Sequence, residues 1–417
     1  MLRRFSSIPN KLSFGFSGAG FLGAYHVGVA ACLHRQGLLP DSTPFVTGVS
    51  AGSMIAAASL AGVNPDPDGM EVVLQAARRT RELALVSQTK GALDFTVSLD
   101  VLTPGFSLID EVEGPFRNAI VKALGGRIPE QSASVDASDH DSKMSNVYDI
   151  DPKLFKQRFP DGSLRIGLSD RRILTTLPLS SPKKSYRYVD SFRDVDDIVA
   201  TCMLSSYIPG ATGPLHLRDK VPDFFSGFFG ERNLNNETDS TNGNDTVHRA
   251  GARLRLMEKA GLVKHGESGL PVKMQQPERE LDNDAEVEPL NSTDFWDGGI
   301  ADVFPTFDDH TVIIAPVNGI FSPNPAICPI HISETEYDVA YATEGEAQAS
   351  TTQTFDKLSP AFLQMLLRSY IPTTFRHCSK ARLGLNSSNA KAALKMMFSS
   401  QDEELYQIFR DGYDDAK

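Results

Sequence analysis

The segment from Phe45 to Leu60, FVTGVSAGSMIAAASL, constrains this chain more than any other. The β-favouring run Phe45, Val46 and Thr47 meets a Gly-x-Ser-x-Gly pentapeptide, Gly48 to Gly52, and an Ala-rich apolar stretch follows at once. That order reads as strand, tight turn and helix. A serine at such a turn presents its hydroxyl, while glycines two before and two after let neighbouring backbone pass without Cβ clashes. Ser50 is therefore the candidate nucleophile. The following helix brings free N–H groups and the positive end of its dipole beside Ser50, where an oxyanion would develop. Such a pentapeptide arises by chance often enough to need context, and residues 12–23 and 295–304 supply it.

KLSFGFS, residues 11–17, reads as a buried strand that runs into Gly18-Ala19-Gly20-Phe21-Leu22-Gly23 and an apolar helix ending at Gly37. Strand, glycine loop and helix N-terminus make an anion-binding geometry. A dinucleotide site would need a second strand ending in an acid some 20 residues on. Asp41 has that spacing, but Gly37-Leu-Leu-Pro40 leaves almost no room for the strand. In the other reading the backbone N–H groups of Gly18, Ala19 and Gly20 form an oxyanion hole facing Ser50. The second stretch is Phe295-Trp296-Asp297-Gly298-Gly299-Ile300, followed by a strand at 311–317. Taken alone, Asp297-Gly298-Gly299 is a plain turn.

The net charge of −12 and pI near 5.3 leave no basic footprint, so a nucleic-acid partner is not expected. Cys32, Cys202, Cys328 and Cys378 are scattered, and Cys32 and Cys202 sit in apolar helical patterns. Buried free thiols in a reducing compartment follow, with no metal site and no cofactor. No apolar run reaches the ~18 residues that span a bilayer, and the N-terminus lacks a signal-peptide core. The opening MLRRFSSIPNK carries Arg3, Arg4 and Lys11 without an acid; a flexible basic tail over 1–10 is the expectation, with a short mitochondrial presequence as the alternative.

Residues 70–86 and 107–124 read as amphipathic helices, and Gln131 to Tyr148 as a Ser/Asp-rich surface loop. Segments 164–169, 173–179 and 186–189 favour strands; 194–205 returns to a helical pattern. From about 217 to 292 the composition turns polar, which reads as a largely disordered insertion with one short helix near 249–262. Its first part breaks the pattern: Phe224, Phe225, Phe228 and Phe229 lie among turn residues, either folding back on the core or entering a lipid interface. Two apolar-periodic helical stretches, 359–370 and 389–412, occupy the C-terminal part.

With these sites placed, the sequence resembles the patatin-like phospholipase family and, within it, the adiponutrin and adipose triglyceride lipase branch. The matching stretches are LSFGFSGAGFLGAYHVGVAACL (12–33), TGVSAGSMIAA (47–57), SLRIGLS (163–169), SSYIP (205–209), WDGGIADVFP (296–305), IIAPVNGIFSPNPAICP (313–329) and RDGYDDA (410–416). The resemblance implies a Ser50–Asp297 dyad and an α/β fold with three α/β/α layers around a central mixed sheet. The acyl hydrolase domain would span 11–335, interrupted by the insertion, with a linker and helical C-terminal extension over 336–417. Gly23, Gly48, Gly52, Gly298 and Gly299 are its motif glycines. Many members carry Arg or Lys in the glycine-rich loop, where this chain reads GAGFLG.

The activity implied is hydrolysis of carboxylic esters of neutral glycerides, phospholipids or both. Ser50 attacks the ester carbonyl while Asp297 accepts its proton, with desolvation raising that carboxylate's proton affinity. The enzymatic rival is a Ser-Asp-His triad using His310 or His331, which follow Asp297 in the chain order of other α/β hydrolases. Two further alternatives are an acyltransferase that passes the acyl group to an alcohol and a catalytically silent lipid-droplet scaffold. The expected setting is cytoplasmic and peripheral, on a lipid droplet or membrane surface, with protein activators open.

Overall fold

The computed structural model describes residues 12–41, 43–89, 107–128, 148–170, 186–208, 212–213, 246–265, 295–318, 320–322, 324–329, 382–383, 389, 392, 395–396 and 399–417. The phenylalanine cluster, His331, Cys378 and the stretches expected at 131–147, 173–179 and 359–370 lie outside the described residues.

The central strands β1 (Ser13–Phe16), β2 (Val46–Gly48) and β7 (Thr311–Ile314) are buried along their whole length. That is the pattern of parallel strands covered on both faces. β1 pairs in parallel with β2 and with β7, β2 with β3 (Leu164–Asp170), and β7 with β9 (Ala326–Ile327). Beyond β3 the sheet turns antiparallel, through β4 (Tyr186–Val189) to β5 (Val263–His265). The order across the sheet is β5, β4, β3, β2, β1, β7, β9, with β6 (Phe295–Trp296) paired to the end of β3. β8 (Ile320–Phe321) and β10 (Arg382–Leu383) form a separate antiparallel pair.

Helices α1 (Gly23–Arg35), α2 (Ala51–Ala61), α3 (Met70–Thr89), α4 (Leu108–Ala123), α5 (Pro152–Arg158) and α6 (Val195–Ser205) share one hydrophobic core on the Ile166 and Leu168 face of β3. Asp151 and Asp194 cap α5 and α6 by accepting the N–H groups of Lys153 and Asp197 at 2.9 Å each. Cys32 and Cys202 are buried thiols within α1 and α6. The opposite face carries the short α8 (Gly298–Ala301), whose Ala301 N–H donates to the Ser169 hydroxyl on β3 at 2.8 Å. The chain is thus an α/β protein with a mixed sheet between helices.

Two regions differ from the sequence expectation. Within the span read as an insertion, α7 (Thr246–Lys259) packs on α6, and β5 extends the main sheet. Val247, Ala250, Leu254 and Met257 fall on one buried face of α7, a helical spacing that the polar average of the surrounding sequence conceals. Charges pin the same helix: Arg253 to Asp194 and, at 2.6 Å, to Asp197, and Arg249 to Glu113 at 2.6 Å. Leu254 is 1% exposed, so Leu254→Ala should cost about 2–5 kcal/mol in denaturant unfolding. A loss below about 0.5 kcal/mol, typical of surface positions, would contradict this packing. The second difference is C-terminal, where α9 (Asp402–Asp415) begins only after a non-helical 399–401 and docks along α1 as part of the same core.

Candidate active site

The turn after β2 holds Ser50 at φ 54° and ψ −138°, a conformation that L residues rarely adopt. Close packing enforces it, since a Cβ on Gly52 would collide with the carbonyls of Phe16 and Ser17 at the end of β1. The Ser50 carbonyl accepts the Ser53 N–H at 2.9 Å, starting α2, and the Ser50 N–H donates to the Ser205 hydroxyl at 3.0 Å. Ser205 in turn donates to the Gly167 carbonyl on β3 at 2.7 Å. One serine at the end of α6 therefore ties the elbow to the neighbouring strand.

Sheet register brings Asp297 to this elbow. β2 ends with Gly48 opposite Ile166, and β6 pairs antiparallel with β3, setting Trp296 opposite Ser169. Counting on from each register, Ser50 and Asp297 approach the level of Leu168 from opposite directions. The Asp297 N–H donates to the Tyr207 carbonyl and its Oδ1 accepts the Gly299 N–H, each at 2.8 Å. Ser169 donates to the Asp297 carbonyl at 2.7 Å. A Cβ on Gly298 would strike the Gly167 carbonyl, so glycine there lets α8 start flat against β3. Asp297 is 5% exposed, and its carboxylate feels the nearby Ser50 hydroxyl. Burial pushes its pKa up to about 6, against the opposing pull of the Ser50 hydroxyl and the Gly299 N–H.

The glycine loop lies on the other side of Ser50. A Cβ at Gly18 would come 3.6 Å from the Ser50 Cβ, and one at Gly23 would come 3.9 Å from that of Ala51. Among the described residues, the N–H groups of Gly18, Ala19 and Gly20 have no hydrogen-bond partner, which leaves them available as donors. Gly20 has φ +52°, and a Cβ there would also strike the Met396 carbonyl. A side chain at Gly20 would thus disturb backbone packing as well as the loop, whereas Gly18 faces the serine alone.

His310 lies elsewhere. It immediately precedes Thr311, which pairs with Ser13 at the start of β1, whereas Ser50 follows Gly48, which pairs with Phe16 at the end of β1. The two stand at opposite ends of the parallel strands, and His310 is exposed with its N–H on Asp308. His26 is fully buried in α1 with a pKa lowered to about 3 by desolvation, so it stays neutral near physiological pH. The supporting residues Ser169, Ser205 and Tyr207 carried no role in the sequence reading, although all three fall in stretches quoted for the family resemblance.

The α/β fold thus sets a strained serine at a strand-to-helix elbow near a buried aspartate, with open backbone N–H groups beside it. The family described as patatin-like phospholipase matches residues 16–309, and the chain belongs to it. Patatin-like phospholipase domain-containing protein 2 of Rattus norvegicus and of Mus musculus are each 38% identical over 65 residues, or 15% of this chain. The chain's match spans 13% of the length of those curated relatives. Among solved structures, VipD from Legionella pneumophila shows 14% identity and a TM-score of 0.25, over 48% of this chain and 43% of that one.

Proposed function

We propose that this protein cleaves carboxylic esters of lipids, glycerides or phospholipids, through Ser50 and Asp297, and that it belongs to the adiponutrin and adipose triglyceride lipase branch of its family. The observation that carries the mechanism is the register that brings the strained Ser50 elbow and a buried Asp297 carboxyl, raised to about 6, to the same level of β3. A carboxylate near its ordinary pKa is a poor acceptor for a serine proton, and one raised toward 6 is ionised at neutral pH yet more basic.

Ser50 Oγ bonds to the ester carbonyl carbon while its proton passes to Asp297, and the carbonyl oxygen becomes an oxyanion held by N–H groups of the Gly18–Gly20 loop. Collapse breaks the ester bond, Asp297 returns the proton to the leaving alkoxide, and an acyl-serine remains. A water then adds, gives its proton to Asp297, and releases the fatty acid as Ser50 recovers its own.

The substrates are insoluble in water, so peripheral adsorption to a droplet or membrane surface belongs to the same proposal. The test offers the purified chain a panel of neutral glycerides and phospholipids beside a soluble short-chain ester, with Ser50→Ala as control. Release of fatty acid from at least one lipid, lost in the control, is the expected result. No Ser50-dependent release from any member of the panel would overturn the reading.

A further inference from the structure

Donors that must point at an oxyanion cannot also anchor their own loop. The N–H groups of Gly18, Ala19 and Gly20 are open among the described residues, so the loop's position depends on what is packed behind it. On one side is the sheet, where the Ser17 N–H donates to the Ile314 carbonyl at 3.0 Å. On the other is the C-terminal segment, whose Met396 carbonyl lies directly against Gly20.

That segment is fixed at both ends. Asn389 accepts the Asn318 N–H at 3.1 Å and donates to the Asn318 carbonyl at 2.9 Å, at the strand end that also carries the elbow. At the far end α9 and α1 interlock through reciprocal glycines. A Cβ on Gly28 would collide with the Phe409 carbonyl, and a Cβ on Gly412 with the Tyr25 carbonyl. Helix α1 starts at Gly23, directly after the loop, so whatever sets the position of α1 also sets the loop's exit.

We propose that the described C-terminal residues 389, 392, 395–396 and 399–417 position the oxyanion loop, with Asn389 and Gly412 as positioning residues at the two ends of the clamp. The catalytic consequence rests on the reading of Ser50 as nucleophile. The geometric consequence does not.

The test compares the full chain with Asn389→Ala and Gly412→Ala. It reads kcat and KM on a soluble short-chain ester, the rate of Ser50 labelling by a fluorophosphonate, amide exchange over residues 16–24, and thermal stability. In a folded variant, kcat and labelling should fall about ten- to a hundredfold with KM within about twofold, because a shift of about an ångström misaligns the donors. Exchange over 16–24 should quicken. Asn389→Asp keeps acceptance from the Asn318 N–H and should recover part of the rate. If Gly412→Ala fails to fold, Asn389→Ala carries the test. Exchange changes confined to 389–417, with kcat unchanged, would overturn the proposal. An intact protein that neither hydrolyses nor labels would instead remove the Ser50 reading, and exchange over 16–24 would still decide this one.

Discussion

Ester hydrolysis by Ser50→Ala should fall at least about a thousandfold while the fold persists. The elbow gives the reason for both halves of that result. Alanine retains the Cβ around which Gly18 is arranged, and the tie from residue 50 to Ser205 uses the backbone N–H, which the substitution leaves intact. The strained φ of 54° is unchanged as well, since alanine bears the same Cβ constraint. What is lost is the hydroxyl, both as the proposed attacking oxygen and as a group that lowers the Asp297 pKa. Without that hydroxyl the buried carboxyl is held down by the Gly299 N–H alone, so its pKa should rise further. Initial rates on a soluble ester, at matched circular dichroism, decide the matter. A variant within about tenfold of the parent rate would remove Ser50 from the nucleophile role, since nucleophile losses are far larger.

Local patterns made the elbow, the glycine loop and the Asp-Gly-Gly turn legible from sequence, because each is a change of secondary structure punctuated by residues with distinct backbone demands. What joins them is not local. Ser169 and Ser205 reach the site across 128 and 38 residues of sequence to Asp297 and Gly167, through hydroxyl-to-carbonyl bonds that leave no periodic trace. A serine in a short strand and one at a helix end look like many others until the register of β3 is known. A short helix near 249–262 was legible, but averaging concealed that α7 belongs to the core, because its four core residues are diluted by polar ones, among them Arg249 and Arg253, which also bind the fold through Glu113, Asp194 and Asp197. The docking of α9 was concealed differently. Gly28 and Gly412 act as a pair, and neither signals helix contact by itself.

Asp297→Asn should show two opposed effects, and their pH dependence ties them to one carboxyl. Asparagine is close in shape but cannot accept the serine proton, so kcat/KM should drop about a hundred- to ten-thousandfold at neutral pH. In the parent, kcat/KM should be level above the carboxyl's pKa of about 6 and fall tenfold per unit below it, as the base protonates. Stability should run the other way. The folded carboxyl sits at about 6 against an ordinary value of 3.8, so between those values the native state binds more protons than the unfolded state. Unfolding free energy therefore decreases as pH rises through this window, by about 3 kcal/mol in all, and levels off above it. Well below 3.8 the carboxyl is neutral in both states and the penalty is absent. The amide of the variant carries no charge at any pH, so the variant's stability advantage over the parent should be larger at pH 7 than at pH 4 by that same order. Denaturant unfolding of both proteins across pH 4 to 8 measures the difference directly. Parallel curves would show that burial does not raise the Asp297 carboxyl, and a parent kcat/KM that stays flat down to pH 5 would show that its ionisation does not limit the reaction.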